Sequence, residues 1–248
     1  PLYELAAAFV GNGLAISEGP YHRRQRRLIQ PAFARGRMPG YHSVMREAAK
    51  LGAVVTVHAE NGDAVWHLQR ELIAKGCVGP EFHPVSRPSP LEGEATERAL
   101  MMAGLHGATA YIVHMTCKES VHCYGETCPQ YLLLDDTVFD RPDFEGSAYV
   151  MSPPIRPGNA GHHDALWNSL ANRMLDSVGT DHCPFTHEQK RMGKDDFTRI
   201  PNGAAGIEDR LLLLYTHGVL GGRFDLSRMV ELGSTAPARI FGLAKKGS

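Results

Sequence analysis

Residues 53–60 read Ala-Val-Val-Thr-Val-His-Ala-Glu, a β-branched run that ends in a histidine. A short apolar run of this kind is typical of a strand that is buried in a sheet. The pattern of residues 61–75 then predicts a helix that ends near Gly76. A strand followed at once by a helix is the unit from which parallel α/β folds are built.

The alternation of strands and helices continues along the chain. Further strands are predicted at 109–113, 123–127 and 174–178, and further helices at 92–106, 162–173, 206–217 and 225–232. A proline-rich loop is predicted to precede the helix at 92–106. Residues before position 53 contain no β-rich run and favour helices. The sequence therefore predicts an α/β fold with a parallel sheet.

Three polar side chains follow predicted strands at the point where each strand ends. His58 closes the first strand, His114 the second, and Asp181 follows the fourth in Gly-Thr-Asp-His. The carboxyl ends of parallel strands carry the active site of an α/β barrel, and two imidazoles with a carboxylate suit a divalent metal such as zinc. A single histidine after a strand is more often structural, but three such residues on separate strands favour the metal site. His182 is interpreted as structural or as a support to a ligand, and His162 and His163 are predicted to face solvent.

Two further residues lie in loops that suit substrate binding. Ser152 lies in Met-Ser-Pro-Pro-Ile-Arg, and Asn202 in Pro-Asn-Gly. Ordinary turn chemistry explains Ser-Pro and Asn-Gly equally well on pattern alone.

Composition excludes several classes of partner. The 248 residues have a formal net charge of -1, so nothing indicates binding to nucleic acid or to an anionic membrane. No apolar run reaches membrane-spanning length, and the first residues do not have the pattern of a signal peptide. The five cysteines include no C-x-x-C pair, which favours a reducing, cytoplasmic location.

Five motifs, in order, resemble those of the hydantoinase and dihydropyrimidinase family of the amidohydrolase superfamily. They begin at Thr56, Tyr124, Ser152, Gly179 and Pro201 and read TVHAENG, YGETCPQY, SPPIR, GTDHCPF and PNG. The resemblance extends from about residue 45 to residue 243.

The resemblance implies a TIM-like (β/α) barrel with two divalent metals, usually zinc. His58 and His114 would hold one metal and Asp181 the other, and Asp181 would also act as the catalytic base. Ser152 and Asn202 would bind a small cyclic-amide substrate, a hydantoin or a dihydropyrimidine, whose ring C–N bond is hydrolysed. Members of the family form homo-oligomers.

The chain departs from the family pattern. It contains no His-x-His pair, and neither the metal-bridging lysine nor the oxyanion tyrosine has a counterpart upstream of His58. We therefore expect a partial barrel over residues 46–248, with impaired activity and self-association. A non-catalytic scaffold or interaction protein related to dihydropyrimidinase is the alternative.

Residues 1–45 are predicted to form a separate, foreign helical segment. Residues 17–33 resemble the C-helix region of a cytochrome P450, in which the positions of His22 and Arg26 meet a haem propionate. No haem-ligating cysteine loop follows, so haem binding is not predicted. Only nine residues separate His114 from Tyr124, too few for the usual crossover between parallel strands.

Overall fold

The computed structural model describes residue 46 and residues 49–121 and 125–243. The predicted helical segment over 1–45, with its resemblance to a P450 helix, lies outside these residues. So does the stretch from 122 to 124, where the third predicted strand was expected to begin.

Four short parallel strands are described: β1 (Val54–Val57), β2 (Thr109–Ile112), β3 (Glu126–Thr127) and β4 (Ser177–Val178). They form two two-stranded ladders: β1 pairs with β2, with Val54 opposite Thr109, and β3 pairs with β4, with Glu126 opposite Ser177. A single parallel bridge between Ile112 and Gly125 joins the two ladders into one open sheet. The strands follow one another in chain order, and the described ones close no barrel. The first two predicted strand positions are confirmed, the described part of the third lies at Glu126–Thr127, and the fourth is shorter than expected.

The register of β3 explains how a short connection can join two parallel strands. β3 begins opposite the end of β2, because Gly125 bridges to Ile112. The chain therefore does not have to return along the whole length of β2. Met115 N donates to the Glu126 carbonyl at 2.7 Å, and Thr127 Oγ1 donates to the Met115 carbonyl at 2.7 Å. These bonds hold the connection beside β3, and residues 113–121 form turns and bends with no crossover helix.

The α-helices of the described residues connect β1 to β2 and β3 to β4 and continue after β4. They are α1 (Gly62–Ala74), α2 (Phe82–Val85), α3 (Ser89–His106), α4 (Pro129–Leu133), α5 (His162–Ala171), α6 (His187–Lys190), α7 (Arg210–Leu213), α8 (Leu226–Val230) and α9 (Ala236–Ile240). Two π-helical stretches, Leu214–Val219 and Glu231–Thr235, continue α7 and α8. Single 3-10 turns occur at Asp136–Asp140, Glu145–Tyr149, Gly158–Ala160, Arg191–Gly193 and Phe197–Arg199.

Local sequence sets the helix ends. The Asn61 side chain caps α1 by accepting from Ala64 N at 3.2 Å, and Asp225 caps α8 in the same way from Arg228 N at 2.7 Å. Gly107 ends α3 in the left-handed conformation, with φ 64°. α3 begins at Ser89, earlier than the predicted position 92, because Pro90 is tolerated in the first turn of a helix.

The core lies between the helix-facing side of the sheet and the surrounding helices. Its fully buried side chains include Ile112, Ile155, Leu166, Leu170 and Leu175. None of the helices in the described ranges is long and apolar enough to cross a membrane.

A buried ion pair fixes α3 to the segments beside it. Arg156 Nη2 donates to Glu92 Oε2 at 2.8 Å, and both side chains are almost fully buried. Glu92 also accepts from Thr116 N at 2.8 Å and from Ser120 Oγ at 2.7 Å. The connection after β2 is therefore anchored through hydrogen bonds to this charge.

Candidate metal centre

The three residues predicted as metal ligands follow three of the parallel strands. His58 directly follows β1, His114 lies two residues beyond β2, and Asp181 lies three residues beyond β4. The strands are parallel, so all three residues lie at the same carboxyl edge of the sheet, where α/β folds place their ligands.

Two of these residues have a left-handed backbone. The φ angle is 42° at His114 and 48° at Asp181. Non-glycine residues rarely adopt this conformation, which costs on the order of 1–3 kcal/mol at each position and is concentrated at functional sites. The surrounding structure thus maintains a strained backbone at two of the strand ends where the site was predicted.

His58 and His114 face one another across the gap between β1 and β2. His58 Nδ1 lies 2.9 Å from His114 Nε2, and the rings meet edge to face with centroids 4.6 Å apart. One hydrogen at most fits between these two nitrogens. A divalent cation in place of that hydrogen would be bound by both nitrogens, because neutral imidazole nitrogens are common ligands for zinc.

Glu60 orients the His58 ring. His58 Nε2 lies 2.9 Å from Glu60 Oε2, and a carboxylate accepts, so this nitrogen carries the hydrogen. In neutral His58 the lone pair is then on Nδ1, on the side of His114. A carboxylate that accepts from the second nitrogen of a histidine is a common support for metal ligands in proteins.

Arg87 holds the Glu60 carboxylate in its charged form. Arg87 Nη1 pairs with Glu60 Oε2, and the Glu60 side chain is only 5% exposed. Burial alone would raise the pKa of Glu60. The hydrogen bond from His58 and the charge of Arg87 outweigh burial and lower that pKa to about 2. Glu60 therefore remains an anion at neutral pH and keeps accepting from His58.

His114 is buried and is kept neutral by its surroundings. Burial and the nearby His58 lower the pKa of His114, and the charge of Asp181 opposes them. The His114 Nδ1 atom is buried without a hydrogen-bond partner among the described residues. A neutral imidazole is the form that binds a metal ion.

These two imidazoles suit one ion and leave its remaining coordination positions open. No group of three or more His, Cys, Asp or Glu side chains in the described part of the chain is arranged to hold a metal. Asp181 is exposed, and its charge acts on His114 from a distance. The described residues thus bring one pair of imidazole nitrogens together, while the assignment of His58, His114 and Asp181 as metal ligands stays a prediction.

Glu126 is a further carboxylate on the face of the sheet that carries Tyr111 and Ser177. Glu126 Oε2 accepts from the Tyr111 hydroxyl at 3.2 Å. The Glu126 carboxyl group also lies against Gly179: a Cβ atom added at Gly179 would be 2.4 Å from the Glu126 Cδ. Burial raises the pKa of Glu126, and the charge of Asp181 raises it further. A side chain at position 179, directly before the Thr180-Asp181 pair, would therefore displace the Glu126 carboxyl group.

The two predicted substrate-binding residues are in contact with each other. Ser152 Oγ donates to Asn202 Oδ1 at 2.6 Å, and Asn202 Nδ2 donates to the Ile200 carbonyl at 2.9 Å. Gly203 N donates to the Val150 carbonyl at 3.0 Å, so the two loops also join through their backbones. A bridge between His182 and Ala204 links this loop pair to the segment of Asp181.

Three further histidines named in the sequence analysis make hydrogen bonds to the backbone. His182 Nδ1 accepts from Gly206 N at 3.1 Å and from Ile207 N at 3.2 Å, which agrees with its structural interpretation. The prediction that His162 and His163 face solvent is wrong for His162, which is 3% exposed and accepts from Lys118 N at 3.3 Å. His163 is partly buried and bonds the Leu134 carbonyl at 2.8 Å. Both begin a helix whose first turn packs against neighbouring loops.

Sequence reasoning missed the roles of Glu60 and Arg87. Glu60 follows His58 by two residues in the same motif, and that spacing was its only signal. Arg87 lies 27 positions further along the chain, in the proline-rich segment, and nothing local indicates that it pairs with Glu60.

Comparison with known proteins identifies homologues of most of this chain. It is 44% identical over 214 residues to a D-hydantoinase of Geobacillus stearothermophilus, covering 81% of this chain. It is 43% identical over 217 residues to a dihydropyrimidinase of Arabidopsis thaliana, covering 82% of this chain. The crystal structure of a dihydropyrimidinase from Brevibacillus agri superposes with a TM-score of 0.78 at 44% identity, covering 81% of this chain and 46% of that one. No family model matches the sequence.

The chain spans about half the length of the relatives that it matches. The match covers 45% of the Geobacillus protein and 40% of the Arabidopsis protein. The likeness in fold therefore concerns a part of a larger TIM-like barrel, which agrees with the open sheet of four parallel strands.

Proposed function

We propose that this chain supplies part of the active site of a metal-dependent cyclic-amide hydrolase that opens the ring amide of hydantoins or dihydropyrimidines. The observation that carries the proposal is the pair of imidazole nitrogens, His58 Nδ1 and His114 Nε2, 2.9 Å apart at the ends of neighbouring parallel strands. The names of the homologous hydantoinases and dihydropyrimidinases support the substrate class.

Each residue has a separate task in this proposal. His58 and His114 hold a divalent cation, with zinc as the candidate, and Glu60 keeps the His58 lone pair directed at it. The cation supplies Lewis-acid activation of water and of the amide carbonyl. The Asp181 carboxylate accepts the proton that the attacking water loses. Ser152 and Asn202 hold the ring, and backbone groups of their loops provide further hydrogen bonds.

The test is an assay of hydantoin and dihydrouracil ring opening, with an intact homologous enzyme measured alongside. We expect turnover far below that of the intact enzyme, because the described residues supply an incomplete ligand set. This turnover should be lost in His114→Ala and in Asp181→Asn. It should remain in His67→Ala, since that side chain is 70% exposed on α1. Equal rates in the His114 variant and the unaltered chain would contradict the proposal.

A scaffold or interaction protein is the second candidate. The observation that favours it is the absence of a three-residue ligand group among the described residues. The retained pair of histidines with its supporting carboxylate favours the enzyme, because a scaffold has no chemical need for that geometry. The same assay separates the two, since a scaffold gives no turnover that depends on His114. Cytoplasmic location, a small cyclic amide as ligand and self-association remain predictions.

A further inference from the structure

A buried lysine lies behind the two loops that carry Ser152 and Asn202. Lys190 is the last residue of α6 and is 2% exposed. Its Nζ donates to three backbone carbonyls, those of Val150 at 2.9 Å, Pro201 at 2.6 Å and Gly203 at 2.8 Å. An ammonium group has three N–H bonds, so each one has an acceptor.

The three carbonyls belong to the two loops. Val150 lies two residues before Ser152, while Pro201 and Gly203 flank Asn202 on either side. The direct contacts between the loops, Ser152 Oγ to Asn202 Oδ1 and Gly203 N to the Val150 carbonyl, lie beside these three bonds. Lys190 Nζ is therefore a single donor group shared by both loops.

Two further hydrogen bonds hold the backbone of the loop that carries Ser152. His83 Nε2 donates to the Met151 carbonyl at 2.8 Å, and the Tyr131 hydroxyl donates to the Pro153 carbonyl at 2.9 Å. The carbonyls on both sides of Ser152 are thus held from the interior. At the second loop, Gly203 has φ 144° and a Cβ there would meet the Cys183 carbonyl at 2.4 Å, so only glycine fits.

Burying a lysine among carbonyls and not beside a carboxylate needs an explanation. A buried charge is unfavourable unless its hydrogen bonds are all made, and here all three are made. Burial lowers the pKa of Lys190 to about 8, so the ammonium form still prevails at pH 7. The Phe185 ring lies 5.4 Å from Nζ, and the neighbouring titratable groups are Cys183 and His83, whose pKa values burial shifts towards the neutral form.

We infer that Lys190 is a positioning residue that holds the Ser152 and Asn202 loops at the separation needed to bind a small cyclic amide. It acts through Val150, Pro201 and Gly203 and does not itself touch the ligand. The identity of the ligand rests on the proposed function, whereas the joining of the loops does not.

The first test measures the loops without any ligand. In Lys190→Met, which keeps the length and loses the donors, the Gly203 amide should exchange its hydrogen about tenfold faster or more, as expected for the loss of a supporting hydrogen bond. The Val113 amide, which donates to the Val57 carbonyl between β1 and β2, should not change. Lys194→Met is the matched control, because Lys194 is exposed four residues away. Unchanged protection of Gly203 in Lys190→Met would overturn the inference.

The second test measures hydantoin affinity by following the Ser152 and Asn202 amides in NMR titrations. We expect affinity about tenfold lower in Lys190→Met and unchanged in Lys194→Met. In Lys190→Ala, n-propylammonium should restore part of the affinity, whereas 1-propanol, with one donor, should not. Equal affinity in Lys190→Met and the unaltered chain would contradict the positioning role.

Two controls keep the outcomes separate. If the unaltered chain does not bind hydantoin, the proposed function fails, and the amide-exchange result still decides the inference on Lys190. If Lys190→Met does not fold, the Lys190 Nζ resonance of the unaltered chain tests the inference on Lys190 instead. That resonance should show slowed hydrogen exchange relative to Lys194, and equal exchange at the two lysines would refute the inference.

Discussion

At the scale of single residues, the candidate ligands could be predicted because parallel strands place their carboxyl ends together. His58 and His114 were identified from the strand pattern alone, and the structure brings their nitrogens to 2.9 Å. The supporting residues could not be identified in this way. Glu60 contacts Arg87, and Lys190 contacts Val150. Both partners are distant in sequence. Such contacts depend on tertiary packing and have no local signature.

Replacing Glu60 tests whether it orients His58. In Glu60→Gln the carboxylate charge is lost, and the side chain no longer holds the hydrogen on His58 Nε2 as firmly. Zinc or cobalt affinity should fall by roughly 10–100-fold, the usual effect of losing a carboxylate that supports a metal-binding histidine. The measurement is a metal titration by calorimetry, with Glu71→Gln as a control on the exposed face of α1. Equal affinity in both variants would show that Glu60 has no such role.

At the scale of elements, the strands and long helices were predicted and their connections were not. β1, α1 and α5 lie where the sequence pattern places them, because each has a clear apolar period and a recognisable end. The register of β3 against β2 depends on the bridge between Ile112 and Gly125, which no local pattern specifies. The predicted helices over 206–217 and 225–232 run on into π-helical turns that end at Val219 and Thr235. Helix geometry of this kind is decided by packing and not by periodicity.

The ion pair between α3 and the loop after residue 153 should be essential for packing these elements. In Arg156→Met the Glu92 carboxylate would stay buried without a cation. The free energy of unfolding should then fall by about 3–5 kcal/mol, as is usual when one partner of a buried pair is removed. Urea denaturation measures the change.

A matched control separates this effect from charge loss in general. Arg98 and Glu94 form an exposed pair on the same helix, so Arg98→Met should cost less than about 1 kcal/mol. Adding Glu92→Met to Arg156→Met should recover part of the loss, because the double variant has no unpaired buried charge. Similar costs for Arg156→Met and Arg98→Met would contradict this account.

At the scale of the molecule, the described sheet is open, and many large apolar side chains outside its strands are exposed. The β1 residues are partly buried, with Thr56 exposed, whereas those of β4 are fully buried. Nine of the sixteen large apolar side chains exposed in the described residues lie between positions 207 and 243, in the helices after β4. An edge strand and apolar patches of this kind are templates for association with another chain.

The chain studied alone should therefore self-associate or populate a loosely packed state. Size-exclusion chromatography should show species larger than a monomer, and near-UV circular dichroism should be weak. Reducing the apolar surface with Leu212→Lys and Leu220→Lys should shift the distribution towards monomer, because both side chains are more than 60% exposed. A sharp monomer peak with strong aromatic dichroism and a cooperative melt would refute this expectation.

In the proposed site, His58 and His114 form half of a divalent metal centre at the carboxyl edge of a partial barrel. The most direct test of this centre is the zinc content per chain after equilibrium dialysis, measured by elemental analysis on the soluble protein. We predict at most one weakly held ion per chain, because two imidazoles provide only part of the four ligands that zinc prefers. That ion should be lost in His58→Ala and in His114→Ala and retained in His67→Ala. Two tightly held ions, or zinc binding that persists without His114, would contradict the account.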